Sequence, residues 1–125
     1  MVVAERASVV CGQTSQRSGF SRVLVSNCHG DRRPVHVWTR DQTDGGEWKD
    51  RGSVKHQWSN GQCPVGDPFE LKLTDGHWHQ IVIVDPGAIS CGGANDPKKA
   101  ACQKVTLPTP VLGYTNGPSY PLRVE

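Results

Sequence analysis

The sequence predicts an all-β fold, a single-domain antiparallel β-sandwich over residues 1–125, with a small β-barrel as the alternative. Three observations support this prediction. Gly 14 and Pro 9 are spread along 125 residues, which indicates many turns. Short runs rich in β-branched residues lie between these turn signals, and helical periodicity is nearly absent. A chain of this length is typical of one domain.

The predicted strands follow one another at short intervals, as expected for a sandwich. In order they are 21–26, 34–39, 47–50, 53–58, 69–74, 77–85 and 105–107. Near the end, Asn116-Gly117 predicts a hairpin turn, and Pro118 and Pro121 restrict the last strand to a sheet edge. We expect residues 1–20 to form an extended N-terminal arm.

Helix is predicted only near residues 96–103, as one or two short turns. Asp96 is a suitable N-cap, and Pro97 fits the first helical position because its missing N–H has no partner there. The residues that follow, up to Lys104, are free of β-branched side chains.

The strongest local pattern predicts a hairpin over residues 69–85. The first strand alternates cleanly, and Asp75-Gly76 suits a type I′ turn. This register predicts a solvated face with His77 and His79 near the turn. It also predicts a core face made of Phe69, Leu71, Leu73, Trp78, Val82 and Val84. Since Ile81 and Ile83 lie on the first of these faces, the second strand is expected to be central and buried on both sides.

The five cysteines indicate an oxidising compartment, because none forms the Cys-x-x-Cys pair of a zinc or redox site. Cys91 and Cys102 flank a Gly-rich and Asn-rich segment that can fold back, so a disulfide between them is predicted. A second disulfide between Cys28 and Cys63 is a weaker prediction, and Cys11 is then the odd thiol.

Charge and hydropathy exclude two classes of partner. The chain carries 14 basic and 12 acidic residues, and no concentrated basic face accompanies its aromatic residues, so nucleic-acid binding is not predicted. No apolar run is long enough to insert into a membrane. The first six residues lack a signal-peptide core, so either a leader was removed or the protein leaves its cell by another route, such as inside a particle.

His77 and His79 resemble half of a metal site, because alternate strand positions place both imidazoles on one face. The predicted hairpin sets Lys72 opposite His79, and a cation there opposes a bound divalent ion. The sequence therefore favours two surface histidines and no cofactor, with a metal site as the alternative. No Gly-x-Ser-x-Gly nucleophile motif is present.

Four tryptophans are many for a chain of this size. Trp48 and Trp58 stand among polar neighbours, where an indole can stack on a sugar ring or anchor a protein interface. They are the candidate binding residues. Trp38 alternates with Val35 and Val37 and therefore points away from them.

These observations favour a non-catalytic binding or assembly module exposed outside the cell or on a particle surface. Its expected partners are a protein or carbohydrate surface, or other copies of the chain. A small secreted hydrolase, or a metal-dependent enzyme using His77 and His79, is the alternative. A carbohydrate-binding module using Trp48 and Trp58 is the third hypothesis.

Overall fold

The computed structural model describes residues 19–107 and 109–125, which form two β-sheets packed face to face. The fold is the β-sandwich that the sequence predicts, and the described strands do not close into a barrel. The strands are β1 (Arg22–Asn27), β2 (Val35–Asp41), β3 (Lys49–Val54), β4 (Phe69–Lys72), β5 (Trp78–Val84), β6 (Gln103–Thr106), β7 (Val111–Leu112) and β8 (Ser119–Val124).

The first sheet has the strand order β4-β1-β8, and the second has the order β3-β2-β5-β6, with β7 also paired to β5. The pair β1–β8 is parallel, whereas the other strand pairs are antiparallel. One pair, β1–β8, therefore departs from the antiparallel arrangement of the predicted sandwich. The physical reason is that β7 belongs to the second sheet, so the chain crosses between the sheets and β8 enters beside β1 in the same direction.

The core lies between the two sheets and is built from alternate strand positions. On β2, for example, Val35 and Val37 are fully buried. His36 and Trp38, which alternate with them, face outward and are half-buried. Both sheets contribute to this cluster, which consists of Val23, Val25, Val35, Val37, Val54, Leu71, Ile81, Ile83, Val111, Tyr120, Leu122 and Val124.

The predicted 69–85 hairpin does not form, because its two strands belong to different sheets: β4 pairs with β1, and β5 pairs with β2. The turn itself is present, with the His77 N–H donating to the Thr74 carbonyl at 3.2 Å. Only Gly76 has a positive φ, whereas a type I′ turn requires one at Asp75 as well. Turns of other types do not match the right-handed twist of a hairpin, so their flanking strands diverge. Here the turn connects β4 in one sheet to β5 in the other.

The predicted faces of β5 are consequently exchanged. Trp78 is 40% exposed, and His79 is buried at 3%, pointing into the core with Ile81 and Ile83. The expectation that β5 is a central strand is confirmed, because β2 and β6 flank it and residues 81–84 are all buried.

Two further local predictions change in the folded chain. The strands predicted at 47–50 and 53–58 are one strand, β3, which continues through Gly52 with a register shift against β2. The Asn116-Gly117 turn is present but joins β7 to β8, which lie in different sheets, so it makes no hairpin. Strand β8 carries Pro121 and is the edge strand that the sequence predicts.

Helical structure in the described residues is limited to two short 3-10 turns. One, Ala100–Cys102, lies within the predicted region 96–103, and the other, Ile89–Cys91, precedes it. The predicted role of residues 1–20 as an N-terminal arm, apart from residues 19 and 20, lies outside the described residues, as does that of Cys11 as the odd thiol.

Candidate functional site

A cleft of about 620 Å³ opens on the outer face of the second sheet. The residues that line it come from β2, from the segment before β3 and from residues 94–98, which we call the 94–98 wall. The lining residues are Trp38, Arg40, Gly46, Glu47, Trp48, Ala94, Asn95, Asp96, Pro97 and Lys98.

Trp38 and Trp48 are half-buried in this cleft. Both pack against a second apolar cluster, formed by Val82, Val84, Cys91 and Cys102 under the 85–102 loop. Each indole therefore packs against protein and also lines the cleft. An indole held in this way loses little conformational freedom when a ligand binds.

Hydrogen bonds fix the 94–98 wall over the sheet. The Trp38 Nε1–H donates to Asn95 Oδ1 at 2.9 Å, and the Asn95 Nδ2–H donates to Asp50 Oδ2 at 2.9 Å. Asp50 also accepts the Gly52 N–H and lies 3.1 Å from His36 Nδ1. Although burial acts to raise the pKa of Asp50, these hydrogen bonds together outweigh it and lower that pKa. Asn95 is thus an orienting residue whose amide is already occupied.

Disulfides join Cys91 to Cys102 and Cys28 to Cys63, the same two pairs that the sequence predicts. Cys91 and Cys102 are fully buried beneath the loop that forms the cleft wall. The Lys99 ammonium adds a bond to the Cys91 carbonyl at 3.0 Å. The Cys91–Cys102 disulfide therefore closes the loop that carries the 94–98 wall, and the Asn95 hydrogen bond attaches this loop to the sheet.

Removing the Cys91–Cys102 disulfide by the double change Cys91→Ala and Cys102→Ala is expected to lower the free energy of unfolding by about 3 kcal/mol, the loop-entropy value for a closed loop of this size. Urea denaturation followed by tryptophan fluorescence measures it. For comparison, the Cys28→Ala and Cys63→Ala variant should lose about 4 kcal/mol by the same relation, because the loop that this disulfide closes is longer. Full stability in the first variant would contradict the proposed role of that disulfide.

Several polar groups in the cleft have no partner within residues 19–107 and 109–125. They are the Arg40 guanidinium, the Glu47 carboxylate, the Lys98 ammonium and the Trp48 Nε1–H. These groups can donate to or accept from a bound molecule, whereas Trp38 and Asn95 are used to hold the wall.

Trp58 does not line the cleft. It follows β3, and the Arg32 guanidinium lies over its ring, 5.7 Å from the ring centre. Its Nε1–H is buried without an acceptor among the described residues. The fold thus separates Trp48 from Trp58, which sequence reasoning had placed in one binding surface.

The fold gives His77 and His79 different surroundings. His79 accepts the Thr74 N–H at Nε2, 3.1 Å away, and its Nδ1 lies 3.3 Å from the Val111 carbonyl. Both ring nitrogens are therefore engaged, and burial lowers the pKa of His79, which favours the neutral ring.

His77 lies at the surface, where its Nδ1 is 2.6 Å from Asp41 Oδ2 and 3.8 Å from Asp44 Oδ2. The hydrogen bond to Asp41 raises the pKa of His77. These three side chains place potential metal-ligand atoms within 4.8 Å of one another. His79 contributes no free nitrogen to them, so a His77–His79 metal pair is not formed.

Sequence reasoning found one wall residue of the cleft, Trp48, and missed the others. The outward direction of Trp38 was readable from its alternation with Val35 and Val37, and Arg40 continues the same alternation. Local pattern does not predict that Asn95 and Lys98 lie beside them, because these residues are more than fifty positions after Trp38 and Arg40 in the chain.

Comparison of the chain with protein-family models, curated protein sequences and solved structures finds no match. Within the described residues, no helix has the length and apolar character needed to cross a membrane.

Proposed function

We propose that this chain is a non-catalytic binding module that recognises its ligand in the cleft between Trp38, Trp48 and the 94–98 wall. The observation that carries the proposal is the combination of two held indoles with charged groups that lack partners in the described structure. Ligand sites commonly combine aromatic surface with a few convergent polar groups. Here both components lie in one open cleft.

The rigidity of the walls supports a binding function. The Cys91–Cys102 disulfide and the chain of hydrogen bonds from Trp38 through Asn95 to Asp50 hold the cleft in shape before a ligand arrives. A preformed site avoids the cost of ordering loops upon binding, which otherwise reduces affinity.

Two intramolecular disulfides are consistent with an oxidising location. We therefore place the module outside the cell or on a particle surface, with a carbohydrate or protein surface as its partner. Stabilisation by disulfides suits a domain that works where thiols are oxidised.

A hydrolase is the second candidate, because the cleft lining includes two carboxylates, Glu47 and Asp96. A pair of carboxylates flanking a glycosidic bond is the usual machinery of sugar hydrolysis. Asp96 already accepts the Lys98 N–H at 2.9 Å, which is a turn interaction, so we favour binding over cleavage.

The test is a binding screen of the intact chain against a panel of oligosaccharides and peptides, with Trp48→Ala and Trp78→Ala as matched variants. Trp78 is also an exposed indole on the second sheet, but it does not line the cleft. We expect Trp48→Ala to weaken binding of the selected ligand at least about tenfold, the loss of about 1.4 kcal/mol, and Trp78→Ala to bind normally. Equal affinities in all three proteins would overturn the cleft as the site. Release of product from the ligand, abolished by Glu47→Gln, would establish the hydrolase instead.

A further inference from the structure

Arg40 is the one arginine of the described residues that has no partner. It lies on β2 opposite Gln80, faces outward beside Trp38 and lines the cleft. Its Nε–H is buried and has no acceptor, and no carboxylate of residues 19–107 or 109–125 forms an ion pair with it. A buried Nε–H without an acceptor is costly, because this donor loses water and gains no partner.

The remaining arginines of the described segments show how unusual this is. Arg33 pairs with Asp85 and Asp31. The Arg22 Nε–H is also buried without a hydrogen-bond acceptor, but Arg22 forms an ion pair with Glu70 at 3.0 Å. Each of the others also has an oxygen or an aromatic ring as its partner; they are Arg32, Arg51 and Arg123. Among the arginines of residues 19–107 and 109–125, Arg40 is thus the one without an ion pair, hydrogen bond or ring contact, and it lies in the cleft.

The planar guanidinium fits a carboxylate, to which it can donate two parallel hydrogen bonds. The charge of the cleft argues against a polyanion, because Glu47 and Asp96 balance Arg40 and Lys98. A ligand with one carboxylate and many hydroxyl groups matches this mixture, since hydroxyls donate to Glu47 while the carboxylate accepts from Arg40. A sugar ring also offers an apolar face to an indole.

We propose that the cleft binds a saccharide that carries a carboxylate, such as a uronic acid. In this arrangement the Arg40 guanidinium donates to the carboxylate, Trp48 lies against the sugar ring, and Glu47 accepts from hydroxyl groups. This inference rests on the proposed function of the cleft and adds to it the chemical class of the ligand.

The test is isothermal titration calorimetry of the intact chain with a short, otherwise neutral oligosaccharide that ends in a single uronic acid, and with the same oligosaccharide after reduction of that one carboxyl group. We expect the acidic saccharide to bind at least about tenfold more tightly than the neutral one, as a charge-assisted pair predicts. Arg40→Gln should bring the affinity for the acidic saccharide down to that for the neutral one. The matched control is Arg123→Gln, which makes the same change of net charge on β8 in the other sheet and should bind like the unmodified protein.

Thermal unfolding of Arg40→Gln checks the fold, and its midpoint should not fall, because Arg40 has no partner to lose and its buried Nε–H is unsatisfied. Equal affinity for the two saccharides, or unchanged binding of the acidic one in a folded Arg40→Gln variant, would overturn the proposal. If neither saccharide binds while another ligand shows the Trp48 dependence, the saccharide inference fails and the binding function stands. If no ligand depends on Trp48, both fail.

Discussion

Leu71→Asp is expected to leave the protein unfolded. Leu71 on β4 is 1% exposed and packs in the core between the two sheets. A carboxylate at this position has no partner and no access to water, and its burial cost is comparable to the entire stability of a small domain, about 5–15 kcal/mol. Loss of the near-ultraviolet circular dichroism signal and of cooperative thermal unfolding would report this outcome.

Lys72→Ala is the matched control for that prediction. Lys72 is the next residue of β4, is exposed and forms no ion pair within the described structure. Its replacement should change the free energy of unfolding by less than about 0.5 kcal/mol, as is usual for surface sites. If Lys72→Ala lost much of the free energy of unfolding while Leu71→Asp stayed folded, the two faces of β4 would be exchanged. A slip of one residue moves every side chain of a strand to the opposite face.

Asp85→Ala is expected to cost about 3 kcal/mol. Asp85 is 2% exposed and follows β5, where it accepts two hydrogen bonds from Arg33, at 2.7 and 3.2 Å, and lies 2.9 Å from His29 Nε2. Removing one member of a buried ion pair typically costs about 3–5 kcal/mol, and we take the lower end because Arg33 is about one-third exposed and regains water. Urea denaturation measures the loss.

The control for this variant is Asp67→Ala, which removes an exposed aspartate whose side chain forms no ion pair in the described structure. It should be nearly silent. Equal stabilities of the Asp67→Ala and Asp85→Ala variants would show that the Asp85 cluster does not stabilise the fold.

Asp85 also predicts a pH dependence. Burial acts to raise the pKa of Asp85, but the hydrogen bonds from Arg33 and His29 together outweigh burial and lower that pKa below its ordinary value of 3.8. The unfolded chain therefore binds the proton at higher pH than the folded one, so the stabilisation is complete above pH 3.8 and is lost as the pH falls through the lowered pKa. The stability difference between the unmodified protein and Asp85→Asn should shrink as acid is added below pH 3.8.

The sequence predicts strands and their buried faces correctly where apolar and polar residues alternate. On β2 the alternation of Val35 and Val37 with Trp38 matches the burial seen in the folded chain. On β5 the continuous apolar run at 81–84 predicts a central strand that is buried on both faces. In the structure all four residues are buried, and β5 pairs with β2 on one side and β6 on the other. Alternation works here because successive side chains of a strand point to opposite faces.

Which strands pair with each other is harder to predict from the sequence. The Asp75-Gly76 turn predicted that residues 69–85 pair with each other, yet contacts from far along the chain decide otherwise. The Gly76 N–H donates to the Gly113 carbonyl at 2.8 Å, and the Thr115 N–H donates to Asp75 Oδ1 at 2.8 Å. These bonds hold the turn against the 113–115 segment, and this exchanges the expected surroundings of Trp78 and His79.

Local sequence pattern is enough to predict the strand-rich fold, the outward direction of Trp38 and the Cys91–Cys102 disulfide, because each depends on residues close together in the chain. Which strands share a sheet and which polar groups remain without partners depend instead on contacts between distant segments. The cleft is the clearest case. Trp38 and Asn95 are joined by a hydrogen bond across fifty-seven residues, and Arg40 is unpaired only because no described acidic side chain is brought within reach. Such facts arise from packing between distant segments, which local propensity does not encode.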